Sequence, residues 1–409
     1  MGRRGVRDDV AVRGLFVAFG VAIAAFFPFL TLYLDARGLS PDEIGLVVAI
    51  IATARFVANP LWGHAADTRI GRLTTLRLGA LGIAISAFAM NAVHGVVPLA
   101  ATGFVLATWQ VATGPNLDAI ALASLGEEGM TGYGRIRAWE SLSYAIGCLG
   151  FGAALERIGV AWSMPIYGAA CVGVLAWTLT LHRDTPKRLT GHGRLGAVGA
   201  VFREAPRFWG FLAATLLVWI GFNAAWNFIA LKISDEGGGP LLVGFGLALG
   251  GLVEVATMRV SSRLQERWGL RRVFVAGCLA YALGFVLWGL VSNPTVVSVL
   301  AVFEGLAFSL LFTTIVVVVG RLLPPTLYST GNAMAQMVGF GVAPIVGAGV
   351  GGVVYQGVGP IALYLGAAAL ALAGATAGWF ALSPRELSEP TAVVAEVEPG
   401  ARPEPGLVP

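Results

Sequence analysis

Apolar residues are gathered into long runs along this chain, and short polar or Gly/Pro-containing breaks separate the runs. Each run holds about 20 residues, which as an α-helix is long enough to cross a hydrocarbon layer about 30 Å thick. The strict alternation of apolar and polar residues that is typical of a membrane-spanning β-barrel is missing. The pattern therefore predicts an all-α membrane protein with twelve transmembrane helices. We number these predicted spans 1 to 12 in chain order, and they cover residues 12–34, 43–64, 74–93, 97–123, 136–157, 161–181, 208–231, 240–260, 272–291, 295–320, 329–355 and 358–381.

Two longer polar segments divide the pattern. Residues 182–207 separate spans 6 and 7, and residues 383–409 form a tail that is rich in Pro and Glu. The first segment predicts a linker between two six-helix halves, residues 1–181 and 208–382. The composition of the second predicts a disordered tail.

Composition limits the class of protein further. Hydrophobic residues make up 56% of the 409 residues and charged residues only 12%, against about 25% charged residues in a soluble domain. The three cysteines are far apart inside apolar runs, and the four histidines show no metal-ligand spacing. We therefore predict no metal and no cofactor.

Lys and Arg are distributed unequally between the two sides of the membrane. In the predicted topology 22 of the 27 lie at the termini and in the loops on the same side. The opposite loops hold three, namely Arg37, Arg157 and Lys232. Basic residues are retained in the cytoplasm, so both termini, the linker and the tail are predicted to be cytoplasmic, in the cell (inner) membrane. The positive charge then requires no nucleic-acid partner.

A repeated loop motif relates the two halves. It comprises Gly63, Asp67, Arg69, Gly71 and Arg72 after span 2, and Glu266, Arg267, Gly269, Arg271 and Arg272 after span 8. Asp67 and Glu266 are 199 residues apart, and Tyr133 and Tyr328, which open spans 5 and 11, are 195 apart. Each half is thus predicted to be one copy of a pseudo-symmetric six-helix unit, with a substrate site near the midplane between the copies.

The loop motif resembles the signature of the major facilitator superfamily, although Asp67 to Gly71 is one residue longer than usual and Thr68 stands where Arg is usual. Four further stretches are similar to the branch that contains phenylpropionate permeases, nucleoside–proton symporters and lactose permease. They are FPFLTLYLDARGLSPDEIG (27–45), ARFVANPLWGHAAD (54–67), GPNLDAIAL (114–122) and YGRIRAWESLSYAIG (133–147). The resemblance covers residues 10 to 382 and implies a monomeric secondary transporter.

The chain departs from this branch at two positions. Glu140 stands where the branch usually has Gly in a Trp-Gly-Ser sequence, and Glu304 stands where His is common in a Leu-His-Gly sequence. Both changes introduce a carboxylate, so no particular substrate is transferred from the resemblance. The resemblance does imply that Arg137 corresponds to a substrate-contacting arginine of lactose permease and that Asp118 belongs to a motif.

Ionisable residues within the spans are few, and burying a charge at the bilayer centre costs about 2.5–3.5 kcal/mol or more. Arg55 lies about twelve residues into span 2, roughly 18 Å from its outer end and so near the midplane. It is interpreted either as a cavity cation that attracts an anionic substrate or partners a proton-carrying carboxylate, or as one member of a structural ion pair.

Four carboxylates are the proton-coupling candidates: Glu304, Glu254, Asp118 and Glu140. Glu254 and Glu304 lie at similar depths in spans 8 and 10 and are predicted to face one central cavity, where an acid that gains and loses a proton could couple transport. The alternative is a permanently protonated acid that is hydrogen-bonded across a helix contact. For Asp118 the alternative is an ion network that locks the inner gate.

Other residues complete the predicted site. The substrate-cavity candidates are Arg55, Arg137, Tyr33, Asn59, Trp109, Asn116, Asn223, Trp226, Asn227 and Gln336. Asn223 and Asn227 share a helix face at i, i+4 spacing. In the loops, Asp67 with Arg72 and Glu266 with Arg271 are predicted to pair in one conformation and separate in another, or simply to keep positive charge in the cytoplasm.

The sequence thus predicts a transporter of a small organic solute, of the aromatic acid, nucleoside or sugar type. It is expected to work by alternating access in the lipid bilayer, with proton symport. A proton-coupled exporter and an uncoupled facilitator are the alternatives. A membrane enzyme is disfavoured because the spans contain no metal cluster and no Ser/His/Asp set.

Overall fold

A computed structural model of the protein describes residues 3–125, 129–181, 201 and 205–382. The predicted tail lies outside these residues, as does the predicted linker except for its last few positions and residue 201. All regular structure in the described part is helical.

Spans 1 to 6 form the first half. They are Arg3–Phe26 with Leu30–Ala36 (span 1), Pro41–Ala65 continued by a π-helix at Ala66–Ile70 (span 2), Arg72–Ala92 (span 3), Val96–Gln110 with Gly114–Leu125 (span 4), Gly129–Ile158 (span 5), and a 3-10 turn at Val160–Trp162 with Ser163–Thr178 (span 6).

Spans 7 to 12 form the second half. They are Pro206–Asp235 (span 7), Pro240–Trp268 (span 8), Leu270–Leu290 (span 9), Pro294–Val299 with Ala301–Leu322 (span 10), Pro325–Met337, a π-helix at Val338–Val342 and Ala343–Gly357 (span 11), and Pro360–Ala381 (span 12).

Eleven of these spans are long and apolar enough to cross a membrane, counted over the described residues. Span 5 is the twelfth, and its first half carries Arg135, Arg137 and Glu140, which lower its mean hydropathy. The predicted twelve-helix membrane fold is confirmed.

The helix packing shows the pseudo-symmetry directly. In the first half span 1 packs against spans 5 and 6, span 4 against spans 2 and 3, and span 3 against span 6. In the second half span 7 packs against spans 11 and 12, span 10 against spans 8 and 9, and span 9 against span 12. Between the halves, span 2 packs on span 11 and span 5 packs on span 8. Every one of these contacts has its counterpart in the other copy.

The repeat extends to individual glycines. Gly38 and Gly237 are 199 residues apart and have φ of 83° and 84°, in the turns that lead to spans 2 and 8. An L side chain is strained at such φ values, so both turns need glycine. Gly45 and Gly244, also 199 apart, pass against the main chain of the other half: a Cβ on Gly45 would lie 2.6 Å from the carbonyl oxygen of Ala348, and one on Gly244 would meet the carbonyl of Cys148.

The π-helix at Ala66–Ile70 accounts for the extra residue in the first loop motif. Gly71 and Gly269 precede spans 3 and 9 with φ of 82° and 79°, and they are 198 residues apart rather than 199. A π-helix accommodates one additional residue within an α-helix. Span 8 has no such bulge and remains α-helical to Trp268.

We call the side of the membrane at which Arg3 and Leu382 lie the terminal side, and the opposite side the loop side. Toward the loop side the halves are in close contact. Glu156 near the end of span 5 accepts a hydrogen bond of 2.9 Å from the backbone nitrogen of Leu241 in the first turn of span 8. At the other contact between the halves, where span 2 packs on span 11, a Cβ on Gly352 of span 11 would lie 2.5 Å from the carbonyl oxygen of Pro41. These contacts form a loop-side seal.

Candidate functional site

A cavity of about 450 Å³ lies between the two halves. Residues of spans 1, 2, 5, 7, 8, 10 and 11 line it, so it is built from both copies of the repeat. Its wall contains seven aromatic side chains: Phe26, Phe27, Tyr144, Phe222, Trp226, Phe308 and Phe340. Among the described residues, its charged side chains are Arg55 from the first half and Glu304 from the second. A largely apolar cavity with a few converging polar groups is the usual form of a small-molecule site.

Interruptions of the helices coincide with this cavity. Span 1 is broken between Phe26 and Leu30, and Phe27 and Pro28 from that break line the wall. The π-helix of span 11 contributes Phe340. Span 10 is broken at Leu300, and Glu304 lies in the first turn of its second helix. Broken membrane helices expose backbone groups, and in transporters they mark the substrate site.

The guanidinium of Arg55 is held by a neutral partner. Its Nε and Nη2 donate to Oε1 of Gln110 at 3.2 and 2.6 Å. Gln110 in turn donates through Nε2 to the hydroxyl of Tyr167 at 2.9 Å. The ring centroid of Phe27 is 5.5 Å from Cζ of Arg55, which adds a cation–π contact. Among the described residues no carboxylate forms an ion pair with Arg55, so the predicted structural ion pair is not seen.

Glu304 is 8% exposed and faces the cavity. Within the described part of the chain its carboxylate makes no hydrogen bond and no ion pair. Its side chain lies against span 8, because a Cβ on Gly250 would be 3.2 Å from Oε2 of Glu304. Taking up a proton would remove the cost of an unpaired buried charge.

Glu254 is near Glu304 but outside the cavity wall. The two carboxylates are close enough for their charges to interact, and so are Arg137 and Glu254. Spans 8 and 10 meet here through small residues: a Cβ on Gly305 would lie 3.0 Å from the backbone nitrogen of Glu254. Ser309 donates to the carbonyl oxygen of Glu254 at 2.9 Å. The two acids lie near each other, but only Glu304 lines the cavity, and their role in proton coupling stays a prediction.

Span 7 supplies an amide ladder to the cavity. Nδ2 of Asn223 donates to the carbonyl oxygen of Trp219 at 2.8 Å, and Nδ2 of Asn227 donates to the carbonyl oxygen of Asn223 at 2.7 Å. Both amides are therefore oriented by their own helix and line the cavity with Trp226, whose ring stacks on Phe222 at a centroid distance of 5.7 Å. The amide oxygens are available as acceptors for a bound solute.

Three predicted site residues, together with Tyr133, form a second polar group toward the terminal side of spans 4 and 5. Tyr133 donates to Oδ1 of Asp118 at 2.9 Å. Arg137 pairs with Glu140 at 2.9 Å, although the Arg137 side chain is 44% exposed and the Glu140 side chain 6%. None of the four lines the central cavity. Their arrangement matches the alternative of an ion network better than a direct substrate contact.

The remaining cavity candidates lie elsewhere. Tyr33 is fully buried and donates to the carbonyl oxygen of Met90, and Asn116 is buried and donates to its own helix at Ala112. Trp109 packs on Trp62 at 5.2 Å between ring centroids. Neither these three nor Asn59 and Gln336 line the cavity. For these five residues the structure does not support the predicted cavity contact.

The two loop motifs differ in this structure. Asp67 and Arg72 form an ion pair at 3.4 Å. Glu266 and Arg271 form none in the described part of the chain. Instead Cζ of Arg271 lies 3.4 Å from the ring centroid of Trp379 in span 12. One predicted pair is therefore present and the other absent in the same conformation. Gly63 and Arg69 are exposed, as are Arg267 and Arg272.

Several residues in or next to the cavity are not predicted from the sequence. Gln110, which holds Arg55, is an isolated polar residue at the end of an apolar run. Tyr144 lies four residues after Glu140 on span 5, a spacing that places both on one helix face. The five phenylalanines of the wall carry no distinguishing signal, because phenylalanine is equally common on lipid-facing surfaces.

Comparison with known proteins agrees with this architecture. The profile of the MFS_1 like family matches residues 13–366. The chain is 28% identical over 345 residues to a protein of Geobacillus stearothermophilus named maltose permease, covering 80% of this chain and 82% of that one. It is 24% identical over 282 residues to a probable 3-phenylpropionic acid transporter of Escherichia coli strain K12, covering 68% and 72%.

Solved structures share the fold at low sequence identity. A point mutant of the nucleoside transporter NupG superposes with a TM-score of 0.84 at 16% identity, over 92% of this chain and 100% of that one. The peptide transporter POT in complex with sulfate gives a TM-score of 0.73 at 12% identity, over 93% and 95%. These proteins belong to transporter families and not to enzyme families. The chain belongs to the MFS_1 like family and is a membrane transporter of the major facilitator superfamily.

Proposed function

We propose that this protein is a proton-coupled symporter that takes a small organic anion with an apolar or aromatic body into the cell by alternating access. Among the aromatic acids, nucleosides and sugars expected from the sequence, the cavity favours the aromatic acids. A monomer suffices, because both halves of the site come from one chain. The excess of basic residues on the terminal side supports a cytoplasmic location for the termini, in the cell membrane.

The unneutralised charge of Arg55 carries the proposal. A guanidinium fixed by a neutral amide in an aromatic cavity lacks a counter-charge, and a carboxylate can supply it with charge-assisted hydrogen bonds. Seven aromatic rings suit the apolar part of such a solute. A nucleoside or a sugar could use the rings and the amides of Asn223 and Asn227, but it would leave Arg55 without an anion.

Glu304 supports the coupling to protons. It faces the same cavity as Arg55 and has no hydrogen-bond partner among the described residues. An ionised carboxylate in this place is costly, whereas the protonated form is not. Proton uptake at Glu304 therefore allows the loaded cavity to close around the anion, and proton release accompanies opening to the cytoplasm. Replacing Glu304 by Gln removes the titratable group and keeps the size of the side chain. This substitution therefore separates proton coupling from solute binding.

The names of the two relatives indicate different solutes. One relative is named for maltose and the other for 3-phenylpropionic acid. The chain resembles both at similar identity, so the names alone do not decide. The charge of Arg55 favours the aromatic acid, since maltose carries no charge.

Uptake into proteoliposomes tests the proposal. Purified protein is reconstituted and given an inward proton gradient, and uptake of labelled 3-phenylpropionate, maltose and a nucleoside is compared. We expect accumulation of 3-phenylpropionate only, and its collapse when a protonophore is added. Glu304→Gln should abolish accumulation and retain exchange of labelled for unlabelled solute. Asp42→Asn, an acid-to-amide change outside the cavity, should leave both processes unchanged.

Each alternative gives a different result. Equilibration without accumulation in the wild type would identify an uncoupled facilitator. Accumulation driven only by an outward proton gradient would identify an exporter. Accumulation that is undiminished in Glu304→Gln would exclude Glu304 from the proton pathway.

A further inference from the structure

A second cavity, of about 710 Å³, lies on the terminal side of the second half. Its wall is formed by the ends of spans 8, 9, 10 and 12. It lies within one half, so it does not belong to the solute cavity between the halves. Its charged side chains are Glu266, Arg271, Arg272 and Arg321. Among the described residues of its wall, Arg271 and Arg272 outnumber the single carboxylate of Glu266 and carry the positive charge on which the site depends.

The donors of Arg271 are used differently from those of Arg77, the arginine that joins spans 3 and 6 in the first half. In the first half, Arg77 of span 3 donates to the carbonyl oxygen of Thr178 at 2.6 Å and to its hydroxyl at 3.2 Å, at the end of span 6. Spans 9 and 12 form the equivalent pair in the second half. There Arg271 stacks on Trp379, and its buried Nε has no hydrogen-bond partner among the described residues. The stacking fixes the plane of the guanidinium, and Arg271 lines the cavity, where a guanidinium can bind an oxyanion.

Two tryptophans indicate at which level of the membrane this cavity lies. Trp268 is the last residue of span 8, and Trp379 lies two residues before the end of span 12. Their exposed fractions are 47% and 43%, and Val317 of span 10 is 37% exposed. Tryptophan rings at span ends lie at the level of the lipid headgroups. The arginines therefore face a headgroup-level opening with an apolar flank toward the acyl chains.

We infer that this cavity binds the phosphate-bearing headgroup of an anionic phospholipid from the leaflet on the terminal side. Basic pockets between membrane helices bind such headgroups, and guanidinium groups match phosphate oxygens bidentately. A free phosphate could satisfy the arginines but not the apolar flank at Trp268 and Val317. The bound headgroup would also hold Arg271 away from Glu266, which stabilises the separated form of the second loop motif.

Lipid retention and thermal stability test this inference. Full-length protein is purified in detergent, supplied with phosphatidylglycerol, phosphatidylcholine or inorganic phosphate, and examined by native mass spectrometry and by its Tm. The test variant is Arg271→Gln combined with Arg272→Gln. Arg272→Gln alone is a milder variant, because the side chain is exposed. Arg263→Gln, an exposed arginine of span 8 outside the cavity, is the matched control.

We expect phosphatidylglycerol to raise the Tm of the wild type and of Arg263→Gln, with one retained lipid that the double variant lacks. The rise should be reduced in Arg272→Gln and absent in the double variant. An equal rise with phosphatidylcholine, or equal lipid retention by the double variant, would overturn the inference. A rise with inorganic phosphate of the same size as with phosphatidylglycerol would show a free-anion site and also overturn it.

Discussion

Arg55 and Glu254 occupy the same position in the two copies of the repeat, 199 residues apart, yet one is a cation and the other an anion. The equivalence follows from the flanking pairs Gly45 with Gly244 and Asp67 with Glu266, which have the same separation. A symmetric backbone thus carries an asymmetric charge distribution. Arg55 lines the cavity, whereas Glu254 lies near Glu304 and does not line it.

Replacing Arg55 should show how much of the binding affinity depends on the charge of the solute and how much on its shape. Arg55→Gln is expected to weaken the apparent affinity for 3-phenylpropionate by about 10-fold or more, since hydrogen bonds to charged groups contribute about 1.5–3 kcal/mol. Arg55→Lys should lose less, because the charge remains while the two-point contact with Gln110 is lost. Competition by unlabelled solute in the exchange assay measures both. An equal loss of affinity in the two variants would show that the geometry of the guanidinium, and not its charge, determines binding of the solute.

The close contact between spans 8 and 10 should be sensitive to a single methyl group. Gly305→Ala would place a Cβ against the carbonyl of Gly250 and 3.0 Å from the nitrogen of Glu254. We expect a destabilisation of about 1–3 kcal/mol from overpacking, observed as a lower Tm. Gly251→Ala is the control, because a Cβ there meets nothing within 4 Å. A similar Tm for both variants would show that the two spans separate readily.

The hydrogen bond of Glu156 should bias the conformational equilibrium. Glu156→Ala removes the acceptor of Leu241 and with it one contact of the loop-side seal. The state that is open to the loop side should then be more populated. A cysteine introduced at Asn227, in the cavity, would be labelled faster from the loop side by an impermeant maleimide.

Arg157→Ala, a change at the neighbouring exposed residue, provides the comparison for that experiment. Its labelling rate should equal that of the parent Asn227→Cys protein. Unchanged labelling in Glu156→Ala would mean that the glycine contacts alone maintain the seal.

The π-helix of span 2 should tolerate a deletion that other helices do not. Removing Thr68 would turn the bulge into regular α-helix and give the first loop motif the spacing of the second. We expect a folded protein with a Tm near that of the wild type, as judged by circular dichroism. Removing Leu81 from the middle of span 3 would rotate the rest of that span by about 100° and should prevent folding. Unfolding of both deletion variants would contradict this account of the bulge.

The sequence predicts the fold well because length and hydropathy determine membrane spans. It also places Arg55, Glu304, Asn223, Trp226 and Asn227 in the cavity, since polar groups at midplane depth need a cavity or a partner. The interruptions of spans 1 and 10 are not predicted, because an apolar run does not show where its helix breaks.

The phenylalanines of the wall and the position of Tyr33 are not predicted for a related reason. In a soluble protein an apolar side chain faces the core, but in a membrane it can face lipid, a neighbouring helix or a cavity without any change in hydropathy. Tyr33 is a polar residue at a span end, where its hydroxyl is satisfied by the carbonyl of Met90 rather than by a solute. Only the packing of the spans distinguishes these surroundings.

The loop-side seal consists largely of main chain against main chain, at Gly45, Gly152, Gly244 and Gly352. Opening it exposes peptide groups and few apolar side chains. The heat-capacity change of a protein transition follows the apolar area that becomes hydrated. The enthalpy difference between the two states of the transporter should therefore change little with temperature, so that a van't Hoff plot of their equilibrium would be a straight line from a cold cell to a warm one.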